Sequence, residues 1–251
     1  MLRFDGKVAV VTGGGGDIGR ATCVTLAKQG AKVLVVDMNE DAIAKTVDEV
    51  QAAGGTAEGF TADVSKAADC EAYAGKAVEL WGRIDVFFNN AGIEGPAAPI
   101  TDYPEDAFDK VIAVNVKGVY LGMKSVIPHM KSGSAIVNTA SVAGLQGSPG
   151  LVGYVTSKHA VIGMTRVAAL ELAEKNIRVT AICPAPIKGR MMSSIEKNVG
   201  AQEEDAFKGI VPLGRYGTPQ EVANLAVMLL SDEASYLTGS FYTVDGGTTA
   251  Q

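Results

Sequence analysis

Cysteine is scarce: the 251 residues hold only Cys23, Cys70 and Cys183, odd in number and widely spaced. With no CxxC pair, neither a disulfide framework nor a zinc site fits, no metal ligand set is expected, and the trio suits a reducing compartment. A basic excess is missing too. The chain has 22 Lys and Arg against 28 Asp and Glu, a net charge of −6, from which neither nucleic acid nor an anionic membrane surface gains as partner. No apolar run approaches the ~20 residues needed to span a bilayer. The start, Met1-Leu2-Arg3-Phe4-Asp5-Gly6-Lys7, lacks the apolar core of a signal peptide. A cytoplasmic protein is the expectation. Repeats, low-complexity tracts and linkers are also absent, so one domain over 1–251 is expected, long enough to bury a sizeable core.

What the chain has instead is Ala, Val and Gly. A hydrophobic content of 47% with only 6% aromatic residues fits a compact α/β domain. Lys7-Val8-Ala9-Val10-Val11-Thr12 reads as a buried strand. It runs into Thr12-Gly13-Gly14-Gly15-Gly16-Asp17-Ile18-Gly19 and a helical pattern from Arg20 to Gln29. Strand, glycine loop and helix together present backbone N–H groups and a helix N-terminus to a phosphate, with Gly13, Gly16, Asp17 and Ile18 as candidate contacts. A carboxylate opposes a pyrophosphate, so the Asp17 side chain is expected to turn away and act as N-cap of that helix. The second strand, Ala31 to Asp37, ends in an acid about 20 residues past the loop, where a carboxylate takes both ribose hydroxyls of an adenosine. A 2′-phosphate there would be repelled, and Met38-Asn39 supplies no arginine, which favours NAD over NADP. The other reading of Asp37 is a cap for the helix beginning near Glu40.

Helical patterns over Asp41 to Ala53 and Lys66 to Trp81 alternate with strands over Thr56 to Asp63 and Arg83 to Asn89. This alternation predicts a single doubly wound parallel sheet with helices on both faces, whose ligands sit beyond the C-terminal strand ends. Gly13, Asp37, Asp63 with Val64, and Asn89-Asn90-Ala91-Gly92 all fall there. A long helix is predicted from Glu105 to Met130 with Asn115 inside it, between Val114 and Val116. Asn is a poor interior helix residue, so this one has either a site role or a satisfied core amide. Further strands are predicted at Ser134 to Thr139, ending at Ala140-Ser141, at Asn176 to Ile182, and at Ser240 to Val244. Regularity is lost from Pro184 to about Pro212. Thr218 then caps a helix with Pro219 at its first position.

Tyr154-Val155-Thr156-Ser157-Lys158 opens the helix that runs through Ala173. Residues i and i+4 share a helix face, so phenol and ammonium project into the same space. A nearby cation favours phenolate and lowers the tyrosine pKa from its ordinary ~10, which makes Tyr154 a usable acid/base.

With these residues in view, the chain resembles the short-chain dehydrogenase/reductase family over essentially its whole length. The matching motifs, in order, are Thr12-Gly13…Gly19, Asp63, Asn89-Asn90-Ala91-Gly92, Asn115, Ser141, Tyr154…Lys158 and Asp245-Gly246-Gly247. The resemblance implies a Rossmann-type fold and hydride transfer between a nicotinamide dinucleotide and an alcohol or ketone. It implies that Tyr154 is the general acid/base and that Ser141 binds the substrate oxygen. Lys158 then holds the nicotinamide ribose and lowers the Tyr154 pKa, and Asn115 holds a water of a proton relay. Three departures stand out: Asp17 replaces the middle glycine of the loop, Pro184-Ala185 replaces Pro-Gly, and Gly189 stands where a Thr commonly contacts the cofactor. Pro184 and the Ile187 backbone remain as contacts on the nicotinamide side. A substrate lid is expected near 188–213, its residues 188–209 mobile, with Met191, Met192 and Ile195 as an apolar wall. Glu94, Gln146 and Leu151 are pocket neighbours, and Lys197, Glu203, Glu204 and Asp205 form a solvated face. Segments 89–95 and 138–144 look similar to branches that oxidise polyols and cyclic secondary alcohols. The family is often tetrameric, with the helices at Glu105–Met130 and Tyr154–Ala173 as the expected interface. The alternatives are a 3-oxoacyl-thioester reductase, which usually wants NADP, and a non-catalytic dinucleotide-binding regulator.

Overall fold

The computed structural model describes residues 3–201 and 205–250, so Glu203 and Glu204 lie outside the described residues. Its centre is a seven-stranded sheet of order β3-β2-β1-β4-β5-β6-β7, in which every pairing is parallel. The strands are β1 (Val8–Thr12), β2 (Lys32–Asp37), β3 (Thr56–Thr61), β4 (Ile84–Asn89), β5 (Met130–Thr139), β6 (Arg178–Pro184) and β7 (Phe241–Val244). All seven predicted strands form. The one sizeable boundary difference is β5, which begins at Met130 rather than Ser134.

Side chains of a strand alternate between faces, and here both faces are buried. Val8, Val10, Leu34, Val36, Phe87 and Ile136 pack into one core. Ala9, Val11, Val33, Val35, Phe88 and Val137 pack into the other. Two dry faces explain why the strands read as unbroken apolar runs, each buried Val or Phe contributing roughly 1.5–3 kcal/mol. Helices α1 (Asp17–Lys28) and α8 (Pro219–Leu230) cover one face, through Cys23, Leu26, Val222, Ala226 and Leu230. Helices α3 (Ala67–Trp81), α5 (Gly118–Val126) and α6 (Val152–Leu172) cover the other. Helix α2 (Glu40–Ala52) packs beside β2 and β3.

The predicted long helix is a continuous rod of α4 (Glu105–Ile112), a π turn (Ala113–Lys117), α5 and a 3₁₀ turn (Ile127–His129). Its 25 residues reach the length and apolarity of a membrane span, which the sequence pattern did not suggest. Val119, Leu121, Met123 and Val126 spend that apolarity on the core. Thr218 caps α8 as expected, in a capping box with Glu221 and with Pro219 in the first turn. The stretch expected to be irregular contains a helix, α7 (Arg190–Asn198), and a 3₁₀ turn (Lys208–Ile210). Asp205, expected on a solvated face, pairs with Lys188 at 3.3 Å.

Candidate active site

The order of the sheet reverses between β1 and β4, and sheets of this kind take their ligands beyond the C-terminal strand ends at that point. Here β1 gives way to the glycine loop. Gly13 has φ 63°, and Gly16 N–H closes a turn on the Gly13 carbonyl at 3.1 Å. Gly19 admits no other residue, because a Cβ would overlap the Gly13 carbonyl oxygen. Helix α1 therefore starts hard against the strand. Its N-cap is Gly16 and no side chain caps it, so the first-turn N–H groups of Asp17 and Ile18 are free of side-chain acceptors. A loop that a Cβ would fill, ending in an uncapped helix N-terminus, fits a dinucleotide pyrophosphate.

Asp17 is thus the first residue of α1 and not its N-cap, which corrects the expectation from sequence. Its carboxylate leaves its own helix and accepts the Arg190 N–H at 2.9 Å. Asp37 ends β2 half-buried, accepting Gly15 N–H at 3.0 Å and Asn39 N–H at 3.2 Å. It does not cap α2; Asn39 does, through Ala42 N–H. Asp63 accepts the Ser65 N–H and hydroxyl at 3.0 and 2.7 Å. Its carboxyl is held below the usual range: burial works upward, but the Ser65 bonds and the Lys66 charge outweigh it. Val64 is buried beside it, against Gly118 of α5, where a Cβ would be tight.

Asn90 locks three strand ends together. Its N–H and that of Ala91 donate to Thr12 Oγ1 at 2.9 and 3.2 Å, its Nδ2 donates to the Thr12 carbonyl at 3.1 Å, and Thr139 Oγ1 donates to its Oδ1 at 3.1 Å. Beneath it Asn89 bonds Asn138, which bonds Thr165 of α6. At Gly92 a Cβ would sit tight against Asn115 Oδ1 and in ordinary contact with Lys158 Nζ.

Tyr154 and Lys158 sit in the first two turns of α6, as predicted. Lys158 is 4% exposed. Its Nζ donates to the Thr139 carbonyl at 2.8 Å and lies 5.5 Å from the Tyr154 ring centre. Burial pulls the Lys158 pKa down to about 8. The Tyr154 phenol is not lowered as expected. Burial pushes it up to about 12, with a hydrogen bond from Ser141 opposing and the charges of Glu94 and Cys183 adding to the rise. The ammonium spends its short contact on Thr139, and desolvation of the phenol wins. Ser141, 8% exposed at the end of β5, also accepts Ala143 N–H at 3.2 Å.

Asn115 is fully buried in the π turn. Its Oδ1 accepts Ile93 N–H at 2.8 Å, and its Nδ2 donates to the Ile93 carbonyl at 2.8 Å and to Ser157 Oγ at 3.0 Å. The amide is a satisfied clamp between the β4 loop and α6, and the π turn adjusts the local backbone to admit it.

Beyond β6, Pro184 closes the strand and Ala185 needs no positive φ. Lys188 N–H and the Pro186 carbonyl both bond Gly217, which turns the N–H and carbonyl of Ile187 the other way. In α7, Met192 is buried, Met191 half-buried, and Arg190 Nη1 approaches Glu94 at 3.6 Å. Glu94 is 9% exposed. Leu151 occupies the N-cap position of α6 and is half-buried, whereas Gln146 is exposed.

Sequence reasoning assigned no role to Thr12, Thr139, Asn138 and Ser157, all partners of the named residues. Ser157 and Thr139 adjoin motif residues and carry hydroxyls in apolar surroundings, a usable signal. It also missed Tyr103, whose hydroxyl lies against Gly95 and Gly153, and nothing local marks it.

Comparison with known proteins agrees with this fold. The profile of the enoyl-(acyl carrier protein) reductase family matches residues 15–249. Cyclohexanol dehydrogenase from Acinetobacter sp. (strain SE19) is 41% identical over 251 residues, covering 99% of this chain and 97% of that protein. Levodione reductase from Leifsonia aquatica is 40% identical over 256 residues, covering 99% and 96%; a crystal structure of levodione reductase superposes with a TM-score of 0.96 at 39% identity over 99% of both chains. NAD+-bound xylitol dehydrogenase gives a TM-score of 0.91 at 36% identity over 97% of this chain and 99% of that one.

Proposed function

The chain belongs to the short-chain dehydrogenase/reductase family and transfers hydride between NAD and a secondary alcohol or its ketone, and we propose that Tyr154 is its general acid/base. NAD supplies the nicotinamide ring that takes the hydride from the carbinol carbon. The alcohol proton goes to Tyr154 Oη, and in the reverse direction the phenol returns it to the carbonyl oxygen. The raised Tyr154 pKa keeps the phenol protonated at neutral pH in the free protein, the form needed for reduction. Ser141 hydrogen-bonds the substrate oxygen. Lys158 holds the nicotinamide-side ribose, Asp37 holds the adenosine ribose, and Asp63 with Val64 borders the adenine. Gly13, Gly16, Asp17 and Ile18 receive the pyrophosphate through their backbone. Asn90, Ala91 and Gly92 border the cofactor, and Pro184 with Ile187 face the nicotinamide. Asn115 shapes the route from Lys158 to solvent.

The observation that carries this reading is the meeting of Tyr154, Ser141 and Lys158 at the strand ends that also hold the glycine loop. A small cyclic or polyhydroxy substrate fits Glu94 and the apolar wall of Met191 and Met192. The acyl-thioester reading is less favoured, since Asp37 repels a 2′-phosphate. The intact triad speaks against a non-catalytic regulator. The chain acts as one domain, since both cores share the sheet. A homotetramer draws support from Tyr120, Val167 and Leu170, which are apolar and exposed on α5 and α6. A reducing, cytoplasmic setting draws support from three free, buried thiols.

The test is absorbance of the reduced nicotinamide with NAD or NADH and a panel of secondary alcohols, cyclic ketones and 3-oxoacyl thioesters. Turnover of alcohols or ketones with NAD(H) is expected. Turnover confined to acyl thioesters, or none at all, would overturn the assignment.

A further inference from the structure

Helix α7 has no cap of its own. Its N-cap residue is Gly189, which has no side chain, and φ 149° there disfavours any other residue. The acceptor comes from 173 residues away, as Asp17 Oδ2 takes the Arg190 N–H at 2.9 Å. The two residues interlock, because a Cβ on Gly189 would overlap that same Oδ2. From this anchor α7 crosses to the substrate side, where Arg190 approaches Glu94 at 3.6 Å and Asn198 Nδ2 donates to the Gly95 carbonyl at 3.3 Å. Among the described residues, the hydrogen bond that ties α7 to the glycine loop is therefore borne by the residue that begins α1, beside the N–H groups read above as the pyrophosphate seat.

We propose that Asp17 is a positioning residue with two separable effects: its oxygen fixes the lid helix to the cofactor loop through the Gly189 gap, and its charge weakens dinucleotide binding. The second effect rests on the NAD reading of the site, whereas the first does not. Asp17→Asn keeps an acceptor oxygen and removes the charge, and Asp17→Ala removes both.

Amide exchange is measured on the full-length protein without coenzyme, following peptides over 190–198 with the β1 and β4 strands as internal reference. Asp17→Ala is expected to speed exchange at the start of α7 by about fivefold, the ordinary worth of a lost helix cap, with the strands unchanged. Asp17→Asn is expected to restore protection. Unchanged exchange in the Ala variant, or an Asn variant as loose as Ala, would overturn the clasp. Independently, Gly189→Ala should destabilise the protein less in an Asp17→Gly background than in the wild type, because the overlap is gone and only the φ strain remains. Additive effects would overturn the interlock. Titration with NAD reads the charge effect: Asp17→Asn should bind about threefold tighter or more, from one charge removed at ~6 Å in a wet site. Weaker binding would mean that Asp17 contacts the dinucleotide directly and would refute that half of the proposal. A wild type that binds no NAD would refute the dehydrogenase reading together with the charge effect, while the exchange data still decide the clasp.

Discussion

Replacing Lys158 by Met exchanges a buried ammonium for an apolar side chain of similar length. The cation is 4% exposed and donates to one carbonyl, that of Thr139. Burial lowers its pKa from 10.5 to about 8, so the folded state sheds this proton more readily than the unfolded chain. Below about pH 8 both states carry it and the folded state bears the full cost, of order 3 kcal/mol. That cost fades as pH rises towards 10.5, where the unfolded lysine also deprotonates. The Lys158 contribution to wild-type stability therefore rises with pH across this window. Tyr154 acts in the opposite sense, but only above its ordinary value near 10, so measurements stop short of that. Urea unfolding of wild type and Lys158→Met, at one protein concentration, should differ by an amount that moves about 2 kcal/mol in favour of the wild type between about pH 7.5 and about pH 9.5. The Thr139 carbonyl left without its donor adds a constant offset that cancels. A difference independent of pH would refute the claim that Lys158 is a desolvated cation.

Coenzyme choice should follow Asp37. A doubly charged 2′-phosphate ~5 Å from this carboxylate costs ~2 kcal/mol even at a water-like dielectric, so kcat/KM should favour NAD over NADP by at least about tenfold. Asp37→Ala should narrow that ratio, and equal efficiencies in the wild type would contradict it. Thr218→Ala removes the hydroxyl of the α8 capping box and should cost ~1 kcal/mol in urea unfolding, with NAD affinity unchanged. A change in NAD affinity there would show that the start of α8 is coupled to the cofactor loop through α1, to which Gln220 Nε2 ties it by donating to Thr25 Oγ1 at 2.9 Å.

The parts of the molecule that were legible in the sequence are those whose physics is local. Strands such as Val8–Thr12 are buried on both faces, so an apolar run is enough to mark them. The α8 capping box lies within four residues, and the i to i+4 relation of Tyr154 and Lys158 needs only a helix. What escaped depends on contacts distant in the chain. Helix α7 starts at a glycine and takes its cap from Asp17, so no local signal announces it. Burial dominates the environment of Tyr154, with Ser141, Glu94 and Cys183 from three separate segments acting on it as well, which is why spacing alone gave the wrong direction for its pKa. Asn115 was marked as out of place in a helix, but its clamp on Ile93 and Ser157 needed the folded backbone.

The central claim, that Tyr154 carries the proton of an NAD-dependent alcohol–ketone interconversion, is tested most directly by Tyr154→Phe. The ring stays and only the hydroxyl is lost. Steady-state turnover on the best substrate of the panel should fall by ~10²-fold or more, while the Kd for NAD changes little. Turnover within a few fold of the wild type, with NAD bound normally, would contradict the account.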